Sequence, residues 1–127
     1  MMNVYREILP DSYLLILTDS GSPESAGNLR QALSRAGASG KQSVWIDCSA
    51  FASFSTAVLQ VLSEYYLYFQ RKHLPLVLCH LTAKAAETLR ALPWAQRPPV
   101  VATLLEAAGY CRSQQHLPVA TARPPAR

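Results

Sequence analysis

The histidine and cysteine side chains are the first candidates for chemistry, because their spacing could reveal a metal site or a nucleophile. The histidines show neither the His-x-x-x-His nor the His-Glu-x-x-His spacing of metal-binding helices. No two cysteines form a Cys-x-x-Cys pair, so neither a zinc site nor a thioredoxin-like redox site is predicted. Cys79 and His80 are neighbours in a predicted strand and should point to opposite faces, which argues against a thiolate–imidazole pair. The histidines are His73, His80 and His116, and the cysteines are Cys48, Cys79 and Cys111.

Asp47 is the one acid at a position where α/β enzymes carry catalytic groups, the end of a predicted strand. No second acid follows in the neighbouring loop, and neither glycine-rich phosphate-binding pattern occurs in the sequence. An enzyme would therefore have to gather its residues from distant loops. The sequence predicts no catalytic residue, no metal site and no cofactor, and it favours a non-enzymatic protein.

The composition favours one folded domain with a hydrophobic core. Of the 127 residues, 50% are hydrophobic and 16% are charged. The net charge of +4 comes from cations that are scattered along the sequence, so nucleic-acid binding is not expected. No apolar run reaches the ~18 residues of a membrane span, and the N-terminal residues lack the apolar centre of a signal peptide. We expect a cytoplasmic protein without membrane insertion, and the unpaired cysteines fit a reducing compartment.

The alternation of apolar runs and helical patterns predicts an α/β domain. Pro10 marks a turn between the first two strands, and Gly37 and Gly40 end the first helix, which Ser22 and Pro23 begin. The pattern predicts a small, mostly parallel or mixed sheet of about four or five strands with about four helices. The predicted strands are 4–9, 13–18, 43–48, 76–80 and 100–101, and the predicted helices are 22–36, 55–70, 84–92 and 103–108.

The C-terminal end of the chain is expected to lie outside the packed domain. Gly109 is expected to end the last helix. From Leu117 onward, prolines and arginines accompany small residues, a composition that is commonly disordered. The sequence therefore predicts one domain at 1–110 and a flexible tail at 111–127.

The stretch 47–62 resembles the signature of the STAS family, the domains of anti-sigma factor antagonists. That family has a strand ending in Asp-Leu-Ser, two hydrophobic loop positions, and Asp-Ser-x-Gly-Leu opening a helix. Here Asp47-Cys48-Ser49 stands in the first place, Phe51 and Phe54 take the loop positions, and Ser55-Thr56-Ala57-Val58-Leu59 takes the last. In pattern, the resemblance extends over 4–108. It implies a single domain whose helices pack mainly on one face of the sheet.

The resemblance also implies a function, since STAS domains act by binding other proteins. In signalling members, a partner kinase phosphorylates a hydroxyl at the start of the second helix. That position is Thr56 here, with Ser55 as the neighbouring candidate phosphoacceptor. The family's acid is replaced by Ser55 and its glycine by Val58. Two functions remain open: a switchable adaptor for an anti-sigma factor or related serine kinase, and a constitutive subunit of a lipid-transport complex or a stressosome-like scaffold.

The hydroxyls at the start of the second helix have a structural and a functional interpretation. Ser55 is expected to cap the helix by accepting a hydrogen bond from a free backbone N–H. A phosphate on Thr56 would add ~−1.5 to −2 charges at the positive end of the helix dipole. Phe54 is expected to pack as a staple onto Val58, with a partner contact as the alternative. The predicted partner-binding residues are Asp19, Ser20, Gly21, Ser53, Phe54, Ser55, Thr56, Ala57 and Gln60.

The second helix has more apolar residues than one core-facing stripe requires. Val58, Leu62, Tyr65 and Phe69 form one stripe at helical spacing. A second set cannot all face the same core, so either other segments cover these residues or the tyrosines form an exposed contact surface. A homodimer through this helix is one form of the second possibility. The second set is Leu59, Val61, Tyr66 and Tyr68.

Overall fold

The computed structural model describes residues 3–19 and 25–116. Over these residues it follows the predicted order of strands and helices, and five strands form one sheet. The strands are β1 (Asn3–Ile8), β2 (Ser12–Asp19), β3 (Ser43–Phe51), β4 (Leu76–Cys79) and β5 (Val100–Val101). The helices are α1 (Ser25–Gly37), α2 (Thr56–Arg71), α3 (Ala83–Leu89) and α4 (Leu104–His116), with a 3-10 turn at Trp94–Gln96.

The strands lie in the sheet in the same order as in the chain. β1 and β2 form an antiparallel hairpin, and β2, β3, β4 and β5 pair in parallel. The parallel strands are joined in sequence by α1, α2 and α3. Because such crossovers are right-handed and every step goes in one direction, the three helices lie on the same face of the sheet.

The main core lies between this face and the three crossover helices. Alternate residues of each strand point into it, as the pleat of a strand requires. Leu33 of α1, Leu62 of α2 and Leu89 of α3 meet them from the helices. The strand residues of this core are Tyr13, Leu15, Leu17, Val44, Ile46, Cys48, Leu76 and Leu78.

The opposite face of the sheet is covered by α4. Leu14, Trp45 and Val77 form a smaller buried cluster with Ala107 and Cys111 of this helix. The indole Nε1–H of Trp45 donates to the Cys111 sulfur at 3.4 Å. In the described residues, three of the four helices therefore pack on one face, and the predicted α/β fold class is confirmed.

Some predicted boundaries are wrong. Gly109 does not end the last helix, because α4 continues through it to His116. β3 continues to Phe51 in the segment that the sequence assigned to a loop, since its end still pairs with β2. His80 follows β4 instead of ending it, and its φ is 58°. The predicted start of the first helix at Ser22, and the tail from residue 117 onward, lie outside the described residues; the domain limits at 110 and 127 stay a prediction.

Candidate partner-binding site at the start of the second helix

The strand that leads to the site, β3, contains an irregularity in its pairing with β2. Ile16 of β2 pairs with Asp47, but Thr18 pairs with Ala50, so β3 holds one extra residue between these pairs. An insertion of this kind is a β-bulge, which bends the strand and changes where the following residues point. The carboxylate Oδ1 of Asp47 accepts a hydrogen bond from the backbone N–H of Ser49 at 2.9 Å. Asp47 thus has a structural partner inside the bulge.

Two phenylalanines anchor the loop that follows β3. The rings of Phe51 and Phe54 lie 4.9 Å apart between their centroids, and both side chains are buried in the main core. Phe54 is only 5% exposed and belongs to the same cluster as Val58, as the staple interpretation predicts. In this conformation Phe54 offers little surface to a partner, and its role as a contact stays a prediction.

Threonines of the α3 region hold the same loop from the outside. The backbone N–H of Phe54 donates to the hydroxyl of Thr88 at 3.1 Å, and that hydroxyl donates to the Ala85 carbonyl at 2.8 Å. The hydroxyl of Thr82 donates to the Ala52 carbonyl at 3.4 Å. Sequence reasoning missed both threonines. Thr82 precedes a helical pattern and could have been identified as its cap, whereas no sequence signal connects Thr88 with a loop 34 residues away.

Ser55 caps α2, as the sequence predicts. Its backbone is extended, with φ −78° and ψ 165°, and its hydroxyl accepts a hydrogen bond from the N–H of Val58 at 3.3 Å. Its carbonyl accepts the first helical bond, from the N–H of Leu59 at 2.9 Å. This cap satisfies one of the N–H groups that a helix start leaves without an intrahelical partner.

Thr56 is the first residue of α2, and it is exposed. Gln60 lies one turn further along the same face and is also exposed, while Ser53 and Ala57 are half-buried beside them. The first turn of α2 contains no acidic residue. The surface therefore combines an accessible hydroxyl with the positive end of a helix dipole, an environment that stabilises a negative group.

The structure brings the end of β2 next to this surface. Asp19 is the last residue of β2, and its backbone pairs with Phe51 at the end of β3. Ser20 and Gly21, the other two predicted contact residues of this loop, lie outside the described residues. The described residues of the predicted set thus lie at one edge of the sheet. Asp19 ends β2, and residues 53–57 and 60 follow the end of the neighbouring strand β3.

The additional apolar residues of α2 are divided between the core and the surface. Leu59 and Val61 are buried, Tyr66 is half-buried, and Tyr68 is 47% exposed. A groove of about 430 Å³ lies between α1 and α2, and Tyr65 and Tyr68 line it.

Charged groups border the groove between α1 and α2. The Arg30 guanidinium is 2.8 Å from the Glu64 carboxylate, and the Lys72 ammonium lies 5.1 Å from the centre of the Tyr68 ring. This exposed part of α2 is remote from Thr56, toward the other end of the helix.

The three cysteines lie in buried surroundings that disfavour the thiolate form. All three are free and buried. Burial, reinforced by the Asp47 carboxylate, raises the pKa of Cys79 to about 12, and burial likewise raises the pKa of Cys48. A thiol must ionise to react, so these groups stay inert near neutral pH.

The described part of the chain has neither a cluster of metal ligands nor a membrane-spanning helix. Residues 3–19 and 25–116 contain no group of three or more potential metal ligands in reach of one ion. Within the same residues, every helix is too short or too polar to cross a bilayer.

Comparison with known proteins identifies the family of the domain. The family model of the STAS domain matches residues 22–107, more than half of the chain. No curated protein matches the chain at a significant level.

Solved structures match the fold at low sequence identity. A candidate anti-sigma factor antagonist from Thermotoga maritima is 15% identical, with a TM-score of 0.76, covering 86% of this chain and 94% of that one. A chain from the stressosome, described as a signal integration and transduction hub, is 18% identical, with a TM-score of 0.66 and coverage of 89% and 100%. The Bacillus cell fate determinant SpoIIAA, solved in its phosphorylated form, is 9% identical, with a TM-score of 0.64 and coverage of 85% and 98%.

Proposed function

The chain belongs to the STAS domain family, and from this premise we propose that it is a non-enzymatic cytoplasmic adaptor that binds an anti-sigma factor or a related serine kinase. Such binding would regulate transcription by releasing or holding a sigma factor. The observation that carries the proposal is the exposed hydroxyl of Thr56 at the first position of α2. This is the position at which the family resemblance expects a phosphoacceptor.

Thr56 is a better phosphoacceptor than Ser55 in this arrangement. The hydroxyl of Ser55 already accepts a hydrogen bond from the N–H of Val58 and Ser55 is half-buried, whereas Thr56 is exposed. A phosphate on Thr56 leaves the cap in place and lies at the positive end of the helix dipole, so the fold accommodates it. The added negative charge then acts on the partner's surface and weakens binding there. SpoIIAA, a protein of the same fold, is known in a phosphorylated form.

The proposed contact surface is continuous across two strand ends. It comprises Thr56 and Gln60 on α2, the half-buried Ser53 and Ala57, and the loop that follows Asp19. The Thr88 hydroxyl accepts a hydrogen bond from the Phe54 N–H and the Thr82 hydroxyl donates to the Ala52 carbonyl, and these two bonds hold the backbone of the loop that leads into this surface. A surface that is ordered before binding loses less conformational entropy when the partner docks.

Affinity capture from the cells that naturally make the protein tests this proposal. The baits are the wild type, Thr56→Ala, Thr56→Glu and the control Leu105→Glu. The control places the same new charge in the first turn of α4, the helix on the opposite face of the sheet, at a position that is 80% exposed. We expect an anti-sigma factor or serine kinase with the wild type, Thr56→Ala and Leu105→Glu, and its loss with Thr56→Glu. Equal capture by all four baits contradicts the switch.

A constitutive subunit of a larger assembly is the second candidate function. Two observations favour it: the first turn of α2 lacks the family's acid, and Val58, in the place of the family's glycine, is fully buried. A kinase that reads the acid would then not recognise Thr56. In that case all four baits capture the same transporter or stressosome-like subunits, and protein isolated from the cells carries no phosphate on Thr56.

The exposed part of α2 is proposed as a surface for self-association. Tyr68 is 47% exposed beside the groove between α1 and α2, and tyrosines of this kind are enriched in protein interfaces. Light scattering should show a dimer for the wild type and a monomer for Tyr68→Glu. A wild type that stays monomeric at ~100 μM would leave this surface without that role, since interfaces of standard size bind in roughly the μM to pM range.

A further inference from the structure

The first strand of the sheet has an open edge. β1 is the outermost strand, and within the described residues β2 is the strand that pairs with it. The N–H of Leu9 donates to the Ser12 carbonyl at 2.9 Å, and in an antiparallel ladder such bonded pairs recur at every second residue. The N–H and C=O groups of the intervening residues therefore point away from β2, to the open edge. These residues are Val4, Arg6 and Ile8.

The other edge of the sheet is protected against a further strand. β5 has only two residues, and Pro98 and Pro99 before it have no N–H to donate. The N–H of Ala102 after it already donates to the Glu106 carboxylate at 2.9 Å. In contrast, β1 has six residues, contains no proline and keeps an unbroken register with β2. An unprotected edge of this kind is a template for another strand.

The exposed side chains of β1 combine opposite charges with apolar surface. Arg6 and Glu7 are exposed, and Tyr5 and Ile8 are each 56% exposed. The guanidinium of Arg6 donates to the Tyr13 hydroxyl of its own chain at 3.4 Å. Because the strand carries no net charge, its charges can select a register without opposing the approach of a second copy.

Most registers of pairing with a second copy are unfavourable. A two-fold axis makes the two β1 strands antiparallel, and outward-pointing residues must bond to outward-pointing residues. A register with Val4 opposite Ile8 places the two Arg6 side chains opposite each other. A register with Arg6 opposite Ile8 does the same with the two Glu7 side chains, and like charges directly opposite destabilise a pair. Registers centred on Val4 or on Ile8 overlap at most three residues of β1.

The remaining register is centred on Tyr5. Val4 then stands opposite Arg6 of the second copy, and the backbones of these residues exchange about four hydrogen bonds in all. The two exposed Tyr5 rings meet, and aromatic cross-strand pairs stabilise a sheet. Asn3 stands opposite Glu7 of the second copy. The nearest like charges are the two Arg6 side chains, which are diagonal neighbours ~7–8 Å apart.

We propose that β1 pairs with β1 of a second copy in this register and joins the two sheets into one. Because residues opposite each other come from the same face of each sheet, the crossover helices of both copies stay on one face. The antiparallel arrangement places the two Thr56 surfaces at opposite ends, where both remain accessible. The proposal rests neither on the adaptor function nor on the surface around Tyr68, which borders the groove between α1 and α2.

The contact is small, so it is expected to be weak. The overlap covers residues 3–7 of each copy, whereas an interface of standard size brings about 20–30 residues from each side. We expect half of the chains to be paired on the order of 1 mM, which light scattering at ~100 μM does not detect. In an assembly that already holds copies together, the effective concentration reaches the millimolar range, and the edges then pair.

Cysteine cross-linking of the full chain tests the pairing and its register. Tyr5→Cys places two thiols across the axis, in a pair whose Cα atoms are ~4.5 Å apart and within reach of a disulfide. Ile8→Cys is the matched control, because Ile8 is equally exposed but lies ~20 Å along the strand from its own copy in this register. Protein at ~1 mM is oxidised with glutathione disulfide, and circular dichroism verifies that each variant is folded. Each cross-linking rate is divided by the rate at which the same cysteine reacts with iodoacetamide; the native cysteines are buried in every variant.

A second pair of variants tests the backbone bonds. Arg6→Pro, added to Tyr5→Cys, removes an outward N–H and no bond to β2, so the edge strand can still form. Arg6→Lys, added in the same way, keeps both the N–H and the charge. Loss of two of the four bonds should slow cross-linking at least ~10-fold with Arg6→Pro, whereas Arg6→Lys should stay within about twofold.

The expected result is cross-linking of Tyr5→Cys at least ~10-fold faster than that of Ile8→Cys, since only the first pair is within disulfide reach. Adding Tyr68→Glu should leave this rate within about twofold. Equal rates for Tyr5→Cys and Ile8→Cys, or equal rates with Arg6→Pro and Arg6→Lys, would rule out a second copy as the occupant of this edge. Loss of the cross-link on adding Tyr68→Glu would assign self-association to α2 alone and overturn the proposal.

Discussion

Replacing Thr88 by valine should destabilise the start of α2, although Thr88 itself lies in α3. The substitution keeps the shape of the side chain and removes the hydroxyl that accepts the hydrogen bond from the N–H of Phe54 at 3.1 Å. Phe54 is buried, so its N–H has little access to water as a substitute partner. An N–H left unpaired in this way costs roughly 1–3 kcal/mol.

Urea unfolding and amide exchange measure the effect of Thr88→Val. With an m-value of roughly 2 kcal/mol/M, a loss of about 2 kcal/mol lowers the unfolding midpoint by about 1 M. The amide of Phe54 should also exchange faster than in the wild type, because its bond opens more often. Thr56→Val is the matched control, since its hydroxyl is exposed, and it should change stability by less than ~0.5 kcal/mol. An unchanged exchange rate at Phe54 would refute the bracing role of Thr88.

The stability of the domain should also respond to substitution of two glycines, with opposite signs, and to the ionisation of Cys79. Gly37→Ala should destabilise the domain by about 1–3 kcal/mol, because the new methyl group would lie 2.7 Å from a ring carbon of the buried Phe69. Gly27→Ala should stabilise the domain by up to ~1 kcal/mol, because its methyl group meets nothing within 4 Å. Melting temperatures that both rise or both fall would contradict this packing. Burial keeps the Cys79 thiol neutral in the folded protein, with its pKa raised from near 9 to about 12. The contribution of this thiol to stability is therefore complete below pH ~9 and is lost as the pH rises toward ~12, by about 1 kcal/mol per pH unit. Urea unfolding midpoints measured across this pH range should fall more steeply for the wild type than for Cys79→Ala. Parallel curves for the two proteins would exclude the buried thiol as the cause.

The parts of the fold that depend on local patterns could be predicted from the sequence. The apolar runs at 13–18 and 43–48 are strands because their alternate residues fill both faces of the sheet, and the cap at Ser55 follows from the chemistry of a serine before a helix. The motif from Asp47 to Leu59 located the start of α2 in the same way. Each of these signals lies within one element or its immediate neighbours.

Features that depend on distant contacts could not be predicted. Gly109 has a helix-ending tendency, but α4 continues through it because Ala107 and Cys111 on either side pack against Trp45 and Val77 of the sheet. Tertiary packing outweighed the local preference, which is about 1 kcal/mol for a glycine in a helix.

The hydrogen bonds that hold the candidate site could not be predicted from the sequence for a similar reason. The hydrogen bond from Phe54 to Thr88 joins residues 34 positions apart, and a threonine within a helix carries no mark of such a partner.

The central claim is that a protein partner binds at the start of α2, and amide hydrogen exchange of the domain with its captured partner tests it most directly. The account predicts slower exchange on binding in residues 53–60 and at the end of β2, with little change near Lys72, and loss of this protection for Thr56→Glu. Protection confined to the groove around Tyr65 and Tyr68, or unchanged exchange at 53–60 in a complex that is demonstrably formed, would contradict it.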